Sequence, residues 1–200
     1  MFVNKMPRYE ILSEESMATL TAGWKRIVSE IGIEFASPWA VEMFREAGQE
    51  VSGENVKFDP EWILKQVAKA PSEFSLRARN SKRNVKVGGD NMSFGSVYGP
   101  PFVLEGSTRR DGTFKDFENF CKLAQSFEAI DTVGGVVVEP NDLSLDSRHL
   151  DMAFAQATLT DKFFMGNVVT AENARDVIAM AEIIHGGRKA IEEMPALISL

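Results

Sequence analysis

The chain has 200 residues, 44% of them hydrophobic and 26% charged, with a formal net charge of -7. That composition fits a globular protein of one large domain or two small ones, and its acidity argues against nucleic acid or an anionic membrane as partner. A single cysteine excludes an internal disulfide framework and any zinc site that needs two thiolates, and no apolar stretch approaches the roughly 20 residues of a membrane span.

Residues 1–12 read as a loose arm without the apolar core of a secretory signal, so a cytoplasmic location is expected. Ser13 suits the cap of a helix in which Met17, Leu20, Trp24, Ile27, Val28 and Ile31 share one face, and Gly32 stops it. Ser37-Pro38 opens a second helix that carries Val41 and Phe44 and ends at Gly48. Asp59-Pro60 repeats the device for a third, through Ile63, Leu64 and Val67 to Pro71. Residues 1–80 are therefore expected to form a helical module, with Trp24, Trp39 and Trp62 in its core.

The pattern changes over residues 73–105. FSLRAR, NVKVGG and NMSFGSVY alternate or run apolar, and Gly88-Gly89-Asp90-Asn91 reads as a turn. One or two hairpins are predicted there, leading into a first barrel-type strand near Met92 to Tyr98. Gly99-Pro100-Pro101 cannot continue a central strand and must be loop.

From Thr113 a helix–loop–strand unit recurs, over residues 113–138, 146–169 and 170–200, with the apolar runs 131-DTVGGVVV, 163-FFMGNVV and 196-ALISL. Val136, Val168 and Leu200 stand 32 residues apart in both steps. That period implies parallel βα units, because parallel strands need a helical crossover. The first helix, with Thr113 and Asp116 as a capping box, buries Phe117, Phe120, Cys121, Ala124 and Phe127. The second is expected to bury Leu150, Ala153, Phe154 and Ala157. The third, capped by Thr170, buries Ala174, Val177, Ile178, Ala181 and Ile184 before Gly186-Gly187. Counted with the run at 92–98, these supply about four of the eight strands of a (β/α)8 barrel. The fold class predicted is α/β: an N-terminal helical extension (residues 1–80) followed by the first half of a TIM barrel (81–200). The last unit has no covering helix after it, so a longer native chain is expected.

Several segments together resemble the trimethylamine methyltransferase family of corrinoid-dependent enzymes: 30-EIGIEF with 46-EAGQEV, 70-APSEFSLRAR, 84-NVKVGG, 94-FGSVYGPPFV and 148-RHLDMAFAQATLTDK. They follow in order with natural spacing across nearly the whole chain. The resemblance implies a (β/α)8 barrel with a helical extension. It also implies transfer of a methyl group from trimethylamine, or from a quaternary amine such as glycine betaine, to the Co(I) corrinoid (cobalamin) of a partner protein. Family proteins are much longer, and the resemblance places the catalytic acid, and the pyrrolysine of some members, beyond Leu200. A truncated half-barrel that binds or oligomerises without turnover is the alternative from another class; either way self-association is expected, because open strand edges need cover. No Gly-rich phosphate loop supports a nucleotide-binding enzyme.

A quaternary ammonium already has a neutral amine as leaving group, so the protein must strip water, hold the cation and align one methyl. Aromatic faces and a carboxylate suit that task. One Cys and two His, far apart, make zinc unexpected in this part of the chain. Candidate substrate-binding residues lie near strand carboxyl ends. Tyr98 and Phe102 flank the Gly-Pro-Pro loop, to line a pocket or to pack. Glu139, followed by Asn141, leaves the VVV run, to face a cation or to start a helix. Asn167 stands inside an apolar run, facing a cavity or bonded in the core. His149 opens a helix, to meet substrate and partner or to cap and pack. His185, at a helix end, and Cys121, in an apolar stripe, read as structural.

Overall fold

The computed structural model describes residues 2–194 and residue 196. They fall into two units: Met6–Pro71, and Ser72 onward together with the amino-terminal segment that ends at Lys5.

Strand β1 (Phe2–Val3) belongs to the second unit. The first unit opens with helix α1 (Glu14–Arg26), whose cap is the Ser13 hydroxyl, accepting from the Ser16 amide at 3.2 Å. One π-helical turn (Ile27–Ile31) extends it to Gly32. Gly32 has φ +83°, and a Cβ there would lie 2.8 Å from the Val56 carbonyl oxygen, so only glycine fits. Strand β2 (Ile33–Glu34), helix α2 (Pro38–Glu46), strands β3 (Glu50–Ser52) and β4 (Asn55–Lys57) and helix α3 (Pro60–Val67) follow. The strands form one antiparallel sheet in the order β2-β4-β3. Sequence periodicity missed it, because strands of two or three residues carry no readable alternation. Val56 is fully buried, and Phe35, Phe44, Phe58 and Trp62 pack ring against ring, tilted, edge to face or stacked, with Phe44 and Phe58 centroids 4.9 Å apart. Two expectations need correction. Trp39 is 75% exposed and outside this core. Helix α1 buries none of its residues; Met17, Leu20, Ile27 and Ile31 share the expected stripe but face solvent.

In the second unit, β5 (Glu73–Leu76) and β6 (Val85–Gly88) form the predicted hairpin, and β7 (Asn91–Met92) pairs antiparallel with β1. The first barrel-type strand is shorter than expected: Gly95 bridges Thr132 in parallel, and only the segment around it runs beside β10 (Thr132–Gly134). Past Pro101 the chain makes a second hairpin, β8 (Phe102–Glu105) and β9 (Thr108–Asp111), turning at Gly106. Helix α4 (Phe114–Ser126) starts on the Thr113–Asp116 capping box. Arg110 grips the same Asp116 carboxylate with both terminal nitrogens, at 2.7 and 2.9 Å. That guanidinium, helped by Thr113, holds the Asp116 carboxyl far below the usual carboxylate range. Helix α5 (Arg148–Leu159), strand β11 (Phe163–Phe164), helix α6 (Ala171–His185) and helix α7 (Arg188–Glu193) complete the chain order. Strands β10 and β11 pair in parallel, as a crossover through α5 requires. The strand expected at 196-ALISL lies outside the described residues, apart from Ala196.

Helices α4 and α5 pack on this parallel segment through Phe117, Cys121, Ala124, Val133, Val136–Val138, Met152, Ala155 and Phe164. The face of α5 is rotated from the expected one. Its buried residues include His149, Met152, Ala153 and Gln156, whereas Leu150 and Phe154 are exposed, Phe154 by 62%. Hydrophobicity placed the face wrongly because the helix buries two polar side chains that each find a partner. Phe127, the residue that ends α4, is likewise exposed rather than buried.

The amino-terminal end of β11 is closed by polar contacts. Asn80 and Arg79 of the β5–β6 hairpin bond Asp161 and the Thr160 carbonyl, at 2.8 and 3.0 Å. Lys162, almost fully buried, donates to the Ala124 and Phe127 carbonyls, both at 2.6 Å, and so caps the carboxyl end of α4. Burial pushes its pKa below the ordinary lysine value. Replacing Lys162 by Met leaves both carbonyls without their donor, at a cost of about 2 kcal/mol. Cys121, on the same helix, has a thiol that burial pushes up to about 12, so it reacts only when the helix opens. Lys162→Met is expected to raise the rate of Cys121 alkylation by iodoacetamide roughly 30-fold, read by intact mass against time.

Candidate functional site

Because the β5–β6 hairpin covers the amino-terminal end of the parallel segment, its carboxyl end is left to the loops after Tyr98, Val138 and Asn167. Main-chain bonds tie the first two together. The Gly99 amide donates to the Val136 carbonyl at 2.6 Å, and the Glu139 amide to the Pro100 carbonyl at 2.9 Å. Asn141 completes the joint: its side-chain amide donates to the Pro101 carbonyl at 2.9 Å and to the Glu139 carbonyl at 3.2 Å. Tyr98, Glu139 and Asn141 are thus brought into one cluster of loops, with Asn141 acting as its clamp.

Strand β10 is irregular where it meets this cluster. Its register shifts between Thr132 and Gly134, and Gly134 has φ +77°. The Thr132 hydroxyl accepts from the Gly134 amide at 3.0 Å, and the buried Gln156 side chain donates to the Gly135 carbonyl at 2.7 Å and the Gly134 carbonyl at 3.3 Å. The bulge turns Gly135 toward the Tyr98 ring. A Cβ on Gly135 would overlap ring atom Cε2, lie 2.9 Å from Cδ2, and sit 3.5 Å from the Cβ of Met165. Tyr98, Gly135 and Met165 therefore share one face of the sheet, opposite Gly166, whose missing side chain would meet Val177 of α6. Tyr98 lies against Gly135 and stays 49% exposed.

The Glu139 carboxylate meets Arg148, the first residue of α5, with Nη2 to Oε2 at 3.1 Å. The contact is an ion pair without hydrogen-bond alignment: Oε2 is buried and has no hydrogen-bond donor. Both side chains are mostly buried, 25% and 19% exposed. Sequence reading missed Arg148, although a cation at a helix start, against the dipole, was its signal.

Other candidates lie elsewhere or are engaged. Phe102 sits on the β8–β9 hairpin with the Arg109 guanidinium 4.2 Å above its ring, in an apolar groove of about 390 Å³ against Leu104, Leu123 and Phe127. His149 is buried between α5 and α6, 2.9 Å from Asp176 and 3.2 Å from the Asn173 amide. Asn167 is half-buried, its amide 3.9 Å from the Met152 sulfur. His185 is held below its ordinary pKa by burial and by Arg77. Among the described residues no three His, Cys, Asp or Glu side chains converge as a metal site would need, and no helix is long and apolar enough to cross a membrane.

Residues 1–200 match the family described as trimethylamine methyltransferase (MTTB). The chain is 40% identical over 196 residues to the glycine betaine methyltransferase of Desulfitobacterium hafniense (strain Y51), covering 98% of this chain and 41% of that protein. It is 26% identical over 182 residues to the proline betaine:corrinoid methyltransferase of Eubacterium limosum, 88% of this chain and 36% of the relative. Against the trimethylamine methyltransferase MttB of Desulfitobacterium hafniense (strain DSM 10664 / DCB-2) the identity is 24% over 187 residues, 92% and 38%. The chain thus spans about two fifths of the length of the curated relatives it matches.

The seat of Tyr98 is open to direct test, since the only other tyrosine, Tyr9, is 88% exposed and serves as internal reference. Gly135→Ala puts a methyl group where the ring lies. The ratio of Tyr98 to Tyr9 nitration by tetranitromethane is expected to rise severalfold, read by peptide mass mapping.

Proposed function

Because the chain belongs to the trimethylamine methyltransferase family, we propose that it supplies one side of the substrate site of an enzyme that demethylates a quaternary amine. The acceptor is the Co(I) corrinoid of a partner protein, which supplies the nucleophile. His149 is buried and bonded to Asp176 and Asn173 and is not offered to a cofactor at the loop cluster. The reading leaves the corrinoid with its partner and invokes no zinc.

We read residues 81–200 as the first half of a (β/α)8 barrel and residues 1–80 as its helical extension. The parallel pairing of β10 with β11, bridged at Gly95 and covered by α4 and α5, supports this. The exposed apolar stripe of α1 supports self-association in a cytoplasmic assembly.

The observation that carries the reading is the seating of Tyr98 against Gly135, in the same loop cluster that holds Glu139 at the carboxyl end of the strands. A ring seated against Gly135 and half exposed loses little freedom when it offers its open side to an N-methyl cation, and such contact is worth about 1–2 kcal/mol. Glu139 adds negative charge near the same cation. Asn141 fixes the two loops so that ring and carboxylate keep their spacing. Phe102, Asn167 and His149 complete the candidate set: Phe102 on the flank, Asn167 at the next strand end, and His149 orienting α5 against α6. The N–methyl bond breaks with its electron pair returning to nitrogen, so the departing tertiary amine needs no proton from the protein at that moment.

The test is methyl transfer to cob(I)alamin by the complete gene product, with glycine betaine as donor. One methylcobalamin is expected per dimethylglycine released. Tyr98→Leu is expected to lower kcat/KM at least tenfold, whereas Tyr98→Phe retains most of it. Absence of methylcobalamin with glycine betaine, proline betaine and trimethylamine alike would overturn the proposal.

A further inference from the structure

We propose that the Glu139–Arg148 pair is the receptor for a zwitterion: Arg148 takes the substrate's carboxylate, while Glu139, with Tyr98, faces its quaternary nitrogen. This rests on the methyl-transfer reading above and narrows it to substrates that carry an anionic group beside the N-methyl cation.

The same unit supplies the contrast that marks this pair as unfinished. Arg110 and Asp116 meet through two nitrogens, at 2.7 and 2.9 Å, and the carboxylate also accepts from the Thr113 amide at 3.0 Å. That is the fork geometry to which a structural arginine–carboxylate pair settles. Glu139 and Arg148 make one undirected contact at 3.1 Å, and the Glu139 Oε2 is buried without a hydrogen bond. A buried, under-bonded carboxylate is costly, and such groups mark places where a further partner is expected.

The position of Arg148 does not serve its own helix. It is the first residue of α5, where the dipole disfavours a cation and favours an anion. A carboxylate brought to this point meets both the guanidinium and the amino-terminal end of a 12-residue helix. Of the two buried side-chain polar atoms without a hydrogen-bond partner among the described residues, neither belongs to Arg148. Its side chain is 19% exposed, which leaves the guanidinium open to a ligand. On the other side, the Glu139 main chain is bonded to Pro100, two residues past the Tyr98 ring. The Tyr98 ring, seated against Gly135, belongs to the same loop cluster.

A betaine matches this arrangement charge for charge. Its permanent cation and its carboxylate replace one poorly directed contact by two, and the site stays neutral throughout. A cation of the same N-methyl chemistry without the carboxylate, such as choline, satisfies only the Glu139 side. The alternative occupant of Arg148 is Glu139 alone, a helix-entry ion pair with no ligand role.

The experiment is isothermal titration of the complete gene product with glycine betaine and with choline. Wild type is expected to bind betaine more tightly. Arg148→Gln is expected to lower the betaine-to-choline affinity ratio at least tenfold, and Arg148→Lys to restore part of it. Glu139→Gln weakens both ligands with a smaller change in ratio. Far-ultraviolet circular dichroism and the slow alkylation of Cys121 report that each variant is folded. A wild type without preference for betaine overturns the inference whatever the variants do, and so does a folded Arg148→Gln with an unchanged ratio. In either of those cases choline and betaine binding leaves the methyl-transfer reading standing. If wild type binds neither ligand, that reading falls and the inference with it.

Discussion

The amide of Gln156 is the contact on which the loop cluster depends. A helix residue with a polar, almost fully buried side chain is an expensive choice unless both ends of the amide are useful. Here its nitrogen reaches across from α5 to the Gly135 carbonyl, which the bulge has turned away from the β10–β11 ladder. The Gly134 carbonyl is shared with the Met165 amide of the neighbouring segment, at 2.8 Å. Helix, bulge and next strand are thereby locked in one arrangement. The positive φ of Gly134, the seat of the Tyr98 ring and the irregular, buried Val136–Val138 run that delivers Glu139 all follow from it.

The two ends of the parallel segment are built on different principles. At the amino-terminal end the side chains around Asp161, Thr160 and Lys162 are paired with one another or with main-chain carbonyls. Asp161 receives Asn80, Gln125 and Arg83; Thr160 bonds Gln125; Lys162 caps α4. These contacts join the hairpin, α4 and β11. The Asp161 carboxyl is accordingly held below its ordinary value by its hydrogen bonds. At the carboxyl end the main chain is equally well tied, yet the side chains are not. Glu139 has a buried oxygen without a hydrogen-bond donor, Arg148 meets it through a single nitrogen, and Tyr98 keeps half its surface. A rigid frame that holds under-bonded side chains is the division of labour expected of a strand end that receives ligands.

What was legible in the sequence was local chemistry that acts within one turn. The caps at Ser13, Asp59, Thr113 and Thr170 stand where they were read, because a hydroxyl or carboxylate two or three residues before an amide finds it without help from the fold. The FSLRAR–NVKVGG hairpin was legible because each strand is long enough to alternate. The sheet of β2, β3 and β4 was not, since strands this short owe their existence to the aromatic cluster and to the buried Val56. The β8–β9 hairpin hid behind Gly99-Pro100-Pro101, whose loop chemistry masked the alternation that resumes at Phe102. Periodicity misplaced the buried face of α5 because it weighs apolar residues, and this helix buries His149 and Gln156 in preference to Leu150 and Phe154. Of the candidate site, Tyr98, Glu139 and Asn141 were named from strand ends alone. Arg148 and Gln156 were missed because their roles exist only once α5 is laid against β10.

The names of the relatives sharpen what such a site must discriminate. Glycine betaine and proline betaine each carry a fixed cation and a carboxylate, whereas trimethylamine has neither a fixed charge nor an anionic group. An aromatic face alone distinguishes the first two poorly from any other N-methyl cation, because a ring responds to charge and shape at one end of the molecule. Discrimination at the far end needs a group that is left unpaired when the wrong ligand binds. A guanidinium held at a helix start, facing a carboxylate it does not fully engage, has that property. With a zwitterion it gains a directed partner, and with a simple cation it gains nothing while its carboxylate neighbour is drawn away. On the proposed reading, selectivity then arises from the unfavourable state of Arg148 in the wrong complex as much as from its contact in the right one.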